Sequence, residues 1–332
     1  MCQIKWSSCL SDKFPVLNGV KQGGVLSPLL FTVYIDVLIK RLQESGFGCY
    51  VGNDYMGSFA YADDLVLLSP TVNGMKQMLT ICEEFSNEYL IKFNATKSKL
   101  LVYGANNNSP VKIVFQGNVV PQSRQEKHVG HTIGTIYDID TIIAQDVCNQ
   151  LYAKVNLLMR QFSKASSFII YHLFNSYALS LYGCQLWAYD SRKFVNIVNI
   201  AWRKCVRRIL RIPGNSHCAL LPNICMDSSV EVKMHKRFIR FLIKSSNSQN
   251  KCIRLACTLV IEGSSSKVCN SLSKICHLYN LDVLNLNDVN IHSKYSEEIV
   301  QKGRLIRDFI MYRDQNRHDN DICTIIEDLC VN

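Results

Sequence analysis

The chain has 332 residues, of which 48% are apolar and 19% charged, and a formal net charge of +10. This make-up excludes a disordered chain and suggests about two folded domains of roughly 150 residues each. The most apolar window, Phe168 to Tyr189, is broken by His172, Asn175, Ser176, Ser180 and Gln185, whereas a membrane span needs about 20 mostly uninterrupted apolar residues.

Met1-Cys2-Gln3-Ile4-Lys5-Trp6 lacks the charged-then-apolar pattern of a secretory signal. The 15 cysteines, odd in number and without a framework, therefore read as reduced, mostly buried thiols of an intracellular protein. No internal repeat is present. Ser27-Pro28 predicts a helix start, with Ser27 capping free amides and Pro28 in the first turn, and the helix runs to Ser45-Gly46. Short strands follow at Cys49 to Val51, Ser58 to Tyr61 and Leu65 to Leu68. The last two form a hairpin with Ala62-Asp63-Asp64 near its turn. Val72, Met75, Met78, Leu79, Cys82, Phe85 and Tyr89 recur at helical spacing. Leu100 to Tyr103 and Val111 to Phe115 read as further strands. Beyond about Ile139 the pattern is mostly helical, with loop-rich seams at 104–110, 213–216 and 263–266.

The positive charge is concentrated late in the chain. From Trp202 to Arg211, the residues Arg203, Arg207 and Arg211 fall at i, i+4, i+8, and Lys204, Arg208 and Arg211 at i, i+4, i+7. Lys233, Lys236, Arg237, Arg240 and Lys244 repeat this design on a second helix. Such stripes can track a phosphate backbone without reading bases, or they can be solvated faces of core helices. His217, Cys218, Cys225, Cys252, Cys257, Cys269, Cys276 and His277 lack the Cys-x2-Cys spacing of a structural zinc site, and no zinc is expected.

The strongest chemical signal is Phe59-Ala60-Tyr61-Ala62-Asp63-Asp64-Leu65-Val66. Two adjacent carboxylates beside an apolar sheet repel each other unless cations compensate. Mg²⁺ takes oxygen ligands of this kind. Alone, the pair also fits a polar turn. Its neighbours add to it. Upstream is Gly19-Val20-Lys21-Gln22-Gly23-Gly24-Val25-Leu26-Ser27-Pro28, glycine-rich ahead of a helix N-terminus. Downstream are Asn94-Ala95-Thr96-Lys97-Ser98-Lys99 and His128-Val129-Gly130-His131-Thr132-Ile133-Gly134.

This ordered set resembles the reverse transcriptase domain of LINE-type (non-LTR) retrotransposon proteins. Similarity continues through Leu181 to Trp187 and Trp202 to Pro213 and is faint beyond about residue 225. The resemblance implies an α+β fold. Residues 1–140 form an incomplete polymerase palm, an antiparallel sheet with packed helices. A helical thumb-like region at 141–225 and a helical C-terminal extension at 226–332 follow. It implies RNA-directed DNA polymerisation on an RNA template and a DNA primer, with deoxynucleoside triphosphates as substrates. Asp63 and Asp64 would hold the catalytic Mg²⁺ ions, which sit roughly 3.5–4 Å apart in two-metal sites. Lys97 would meet the leaving pyrophosphate. Lys21, Gln22, Gly23, Gly24 and Tyr61 would line the nucleotide and template pocket, and Gly130 would turn the primer grip.

The same resemblance calls for another aspartate on a strand before the glycine-rich motif. Only 18 residues precede Gly19, and they match the segment after that strand. The chain is therefore expected to be N-terminally truncated, without the fingers and endonuclease of a longer polyprotein. Asp12, Asp36 and Asp54 are poor substitutes, being on a helix or in turns. An impaired polymerase is expected, with a non-catalytic, nucleic-acid-binding or inert remnant as the alternative. Exposed apolar faces should make the chain aggregate or bind a partner.

Overall fold

The computed structural model describes residues 1–15, 19, 23–104, 111–135, 139–262, 266–282, 295–316 and 320–331. Lys21 and Gln22, and most of the seams at 104–110 and 263–266, lie outside them. The chain divides into two compact units, Met1–Ser123 and Arg124–Asn332.

The first unit begins with the short pair β1 (Lys5–Trp6) and β2 (Cys9–Leu10), followed by helix α1 (Ser27–Glu44). Ser27 does not cap α1 as expected. Leu26 is already helical (φ −86°, ψ −14°), so Ser27 falls within the first turn, beside Pro28. Strands β3 (Tyr50–Val51), β4 (Asp54–Tyr55), β5 (Ser58–Tyr61) and β6 (Asp64–Leu67) then precede helix α2 (Val72–Tyr89). Thr71 starts α2 by accepting a hydrogen bond from Gly74 N at 3.0 Å. The unit closes with β7 (Leu100–Leu101), β8 (Val114–Phe115), β9 (Asn118–Val119) and β10 (Gln122–Ser123).

The small core of this unit is the inner face of two helices. Leu38 and Leu42, one turn apart on α1, meet Met78, Cys82 and Phe85 of α2, with Ile113, Phe115 and Val120 beneath. Arg41 grips Glu88 with two bonds of 2.7 and 3.1 Å, and its guanidinium lies 5.3 Å from the Tyr89 ring centre. The first turns of α1 are not covered: Leu29, Leu30 and Val33 are exposed, as are Val25 and Leu26 just ahead of them.

The fold is α+β as expected, with small antiparallel strand pairs beside packed helices. The described strands pair only in twos, and β7–β10 is parallel. Strands of two to four residues make ladders too short to recruit a third member. Single backbone bonds, such as Cys49 N to Leu68 O at 3.0 Å, link the β3–β4 pair to the β5–β6 pair instead.

The second unit opens with the hairpin β11 (Gln125–His128) and β12 (His131–Gly134). The rest is helical: α3 (Ile139–Gln161), α4 (Ser167–Leu173), α5 (Arg192–Leu210), α6 (Leu220–Cys225), α7 (Val230–Ser246), α8 (Lys251–Ile261), α9 (Lys267–Tyr279), α10 (Glu297–Gln315) and α11 (Asn320–Val331). Ser166, Ser191, Ser229, Asn250, Ser266 and Ser296 each cap a helix through the side chain. The core joins Leu151 and Val155 of α3 to Val198, Trp202 and Ile209 of α5, Phe238 of α7, and Ile306 and Ile310 of α10.

Helix α10 crosses α6 at Gly303, where an added Cβ would lie 2.5 Å from Asn223 Cβ and 3.2 Å from its carbonyl carbon. Opposing backbone cannot yield. Gly303→Ala is therefore expected to destabilise by about 2 kcal/mol through overpacking, although the same exchange in an open helix gains up to about 1 kcal/mol. A thermal melt checks it, and a midpoint at or above the wild type would contradict this close approach.

None of the fifteen cysteines is in a disulfide among the described residues. Burial pushes Cys82, Cys205 and Cys225 up to about 12, so they stay protonated and unreactive near neutrality. No helix among the described residues is long and apolar enough to cross a membrane.

Candidate active site and basic helices

The aspartates sit at the tip of the β5–β6 hairpin. Tyr61 pairs with Asp64, and Ala62-Asp63 make the two-residue turn. The turn requires a left-handed Ala62 (φ 51°), a conformation costing an L-residue roughly 1–2 kcal/mol. At the other end Leu65 and Leu67, on one side of β6, pack against the helical core. The sequence thus anchors one end of the ribbon and projects the other. Asp63 and Asp64 are both exposed, and neither carboxylate makes an ion pair or hydrogen bond among the described residues.

Lys97 is held by a local device built on Asn94. Asn94 Oδ1 accepts from Lys97 N at 3.0 Å, and Asn94 O accepts from Ser98 N and Ser98 Oγ, both at 3.0 Å. This Asx turn fixes the backbone and leaves the Lys97 side chain exposed. The signal was the Asn-x-x-Lys spacing. Gly23 has φ 78° and open space around it, and Gly24 is half-buried. Tyr61 is exposed. Asp36 is paired with Lys40 at 2.8 Å. Among the described residues, no group of three His, Cys, Asp or Glu residues is placed to hold a metal.

In the second unit, Val129 (φ 47°) and Gly130 (φ 73°) turn β11 into β12. Tyr182 donates from its hydroxyl to Val129 O at 2.7 Å, and a Cβ at Gly130 would meet the Tyr182 ring at 3.2 Å. Tyr182 was missed as the clamp of this turn because nothing local signals a partner so far along the chain.

The basic stripes divide into two groups. Arg207 donates to Ser216 O at 2.6 Å, Arg211 to Ser163 O at 3.1 Å, and Arg237 to Ser180 O. Lys233 is bound to Asp227 and to Asn175 Oδ1, and Asp227 also accepts from Tyr171 and Asn175. These four cations tie α5 and α7 to the segments around them. Arg203, Lys204, Lys236, Arg208, Arg240 and Lys244 make no ion pair or hydrogen bond among the described residues, and Lys204, Arg208, Arg240 and Lys244 are exposed.

Residues 2–133 match the family model for reverse transcriptase (RNA-dependent DNA polymerase). The chain is 40% identical over 92 residues to the Pol polyprotein of the type-2 retrotransposable element R2DM of Drosophila melanogaster, covering 28% of this chain and 8% of that protein. It is 22% identical over 217 residues to a probable RNA-directed DNA polymerase from transposon X-element of the same fly, 62% of this chain and 23% of the relative. The polymerase of the fly mobile element jockey is 21% identical over 209 residues, 60% of this chain and 22% of its own length. The chain thus spans a minor part of each relative. With the aspartate hairpin, the glycine-rich entry to α1 and the Lys97 turn in the expected order, residues 2–133 are similar to the reverse transcriptase family and to the polymerases of non-LTR retrotransposons.

Proposed function

We propose that this chain is part of an RNA-directed DNA polymerase whose metal-holding residues are Asp63 and Asp64. The observation that carries the reading is two exposed carboxylates, free of any cation partner among the described residues, on a hairpin tip anchored at its far end. Their hard oxygens suit Mg²⁺, which is commonly held by one or two carboxylates together with substrate phosphates. When bound, the metal would lower the barrier by neutralising charge on the reacting phosphate. The chain's own residues then have distinct tasks. Asp63 and Asp64 bind and orient, Lys97 neutralises or protonates the leaving pyrophosphate, and Lys21, Gln22, Gly23, Gly24 and Tyr61 receive nucleotide and template. Gly130 turns the strand that holds the primer. Arg203, Lys204, Lys236, Arg208, Arg240 and Lys244 contact the nucleic-acid backbone.

A manganese titration followed by electron paramagnetic resonance, with a deoxynucleoside triphosphate present, tests the metal site. Asp63→Asn and Asp64→Asn should each weaken binding, and unchanged binding in both would reject the assignment.

A second reading, a nucleic-acid-binding chain without turnover, is favoured by the lack of a third carboxylate beside Asp63 and Asp64 among the described residues. Missing transition-state contacts cost several kcal/mol, and each 1.4 kcal/mol or so is tenfold in rate. Primer extension by this chain alone is expected to stay at background with Mg²⁺ or Mn²⁺. Template-dependent product that vanishes in Asp63→Ala would show full competence instead.

A further inference from the structure

The second unit carries a half-open cavity of about 800 Å³, within the usual range for small-ligand sites. Its walls include Trp202 and Arg203 of α5, His217, Glu231 in the first turn of α7, Tyr279 at the end of α9, and Tyr295. None of these carries an assigned role beyond the backbone contact proposed for Arg203. Three features of the lining narrow the ligand. The guanidinium of Arg203 makes no ion pair or hydrogen bond among the described residues, so it can take an anion. The Glu231 carboxylate is oriented by Asn199 Nδ2, which donates to Oε2 at 2.9 Å. That leaves Oε1 for a ligand N–H and repels a ligand that is only anionic. The half-buried Tyr279 and Tyr295 supply aromatic rings, and the buried Trp202 Nε1 behind them has no hydrogen-bond partner among the described residues.

A phosphate, a ring and an N–H donor together describe a nucleotide. In a duplex the base is stacked and its edge paired, so the ligand must be unpaired. Exposed Lys204 and Arg208 on the same helix suit the phosphates on either side. We propose that this cavity receives one unpaired base of a single-stranded nucleic acid, with Arg203 on its phosphate and Glu231 accepting from its amino or imino N–H. The inference rests on the reading that the second unit contacts nucleic acid, and narrows that contact from backbone to base.

Fluorescence anisotropy on the full chain tests it, with labelled single-stranded RNA, the matching DNA, an abasic strand of equal length and a duplex. The wild type should bind the base-bearing strands more tightly than the abasic strand or the duplex. The two base-bearing arms show whether RNA or DNA is preferred. Base–aromatic stacking is worth roughly 1–3 kcal/mol, so Tyr295→Ala should weaken base-bearing strands about tenfold and leave the abasic strand unchanged. Arg203→Gln should weaken both kinds. Circular dichroism confirms that the variants fold. Independently of any variant, the base-bearing strand should slow iodoacetamide labelling of Cys218, a half-buried residue of the cavity wall. Equal affinity for base-bearing and abasic strands, or unchanged Cys218 labelling, overturns the base site alone. Failure of the wild type to bind any strand overturns the nucleic-acid reading with it.

Discussion

Arg313→Leu should destabilise the second unit by about 3–5 kcal/mol, the range for breaking a buried ion pair from one side. Arg313 on α10 is only 9% exposed. Its guanidinium donates to Arg211 O at 2.9 Å and to Leu210 O at 2.7 Å, carbonyls at the C-terminal end of α5. It also meets Asp314 Oδ1 at 3.3 Å, while the other oxygen of Asp314 accepts from Ser167 N at the start of α4. One planar fork thus ties three helices and places positive charge at the negative end of α5. Leucine leaves two carbonyls unpaired and a carboxylate buried. Arg313→Lys should recover only part of the loss, since one ammonium cannot reproduce the fork. Adding Asp314→Asn to Arg313→Leu should recover some stability by removing the stranded charge. Urea unfolding measures all three. A leucine variant within 1 kcal/mol or so of the wild type would show that the bonds exchange freely with water.

The second large effect is on pH dependence. His235 on α7 is 3% exposed, its Nδ1 lies 2.9 Å from the Tyr279 hydroxyl, and its ring meets Tyr189 edge-on at 5.2 Å. Burial, with a smaller contribution from Lys274, pushes the imidazole down to about 4 from an ordinary 6.5. The unfolded chain therefore takes up the proton first as pH falls. Stability is complete above about pH 6.5 and declines between there and pH 4, by about 3 kcal/mol in total. His235→Phe, which removes the titrating group, should flatten the urea midpoint across that window. An unchanged slope in the variant would place the titration elsewhere.

What was legible in the sequence was periodic and local. The spacing of Val72 through Tyr89 set α2 at the bounds observed, and the alternation around Asp63 gave the hairpin and its turn. The start of α1 lies at Ser27-Pro28 as the sequence placed it, and only the cap differs, because Leu26 is already helical and puts Ser27 in the first turn. Local reading could not see long-range commitments. Arg207, Arg211, Lys233 and Arg237 read as cations of one stripe with their neighbours, and only the fold shows their bonds to turns and loops elsewhere in the unit. The Arg313 network likewise joins residues 102 to 147 positions apart, beyond the reach of any motif.

The uncovered start of α1 puts this chain in a dilemma over buffer. Leu29, Leu30 and Val33 are a greasy strip on a molecule whose net charge is +10. Salting-out anions such as sulfate strengthen adhesion between such strips, while any added electrolyte mutes the mutual repulsion that keeps copies apart. Diluting the electrolyte restores that repulsion, yet strengthens the hold of carried-over cellular polyanions on the basic helices. Purification will therefore meet clumping at one extreme and contamination at the other, and a polar substitution at Leu30 is the simplest way to widen the interval between them.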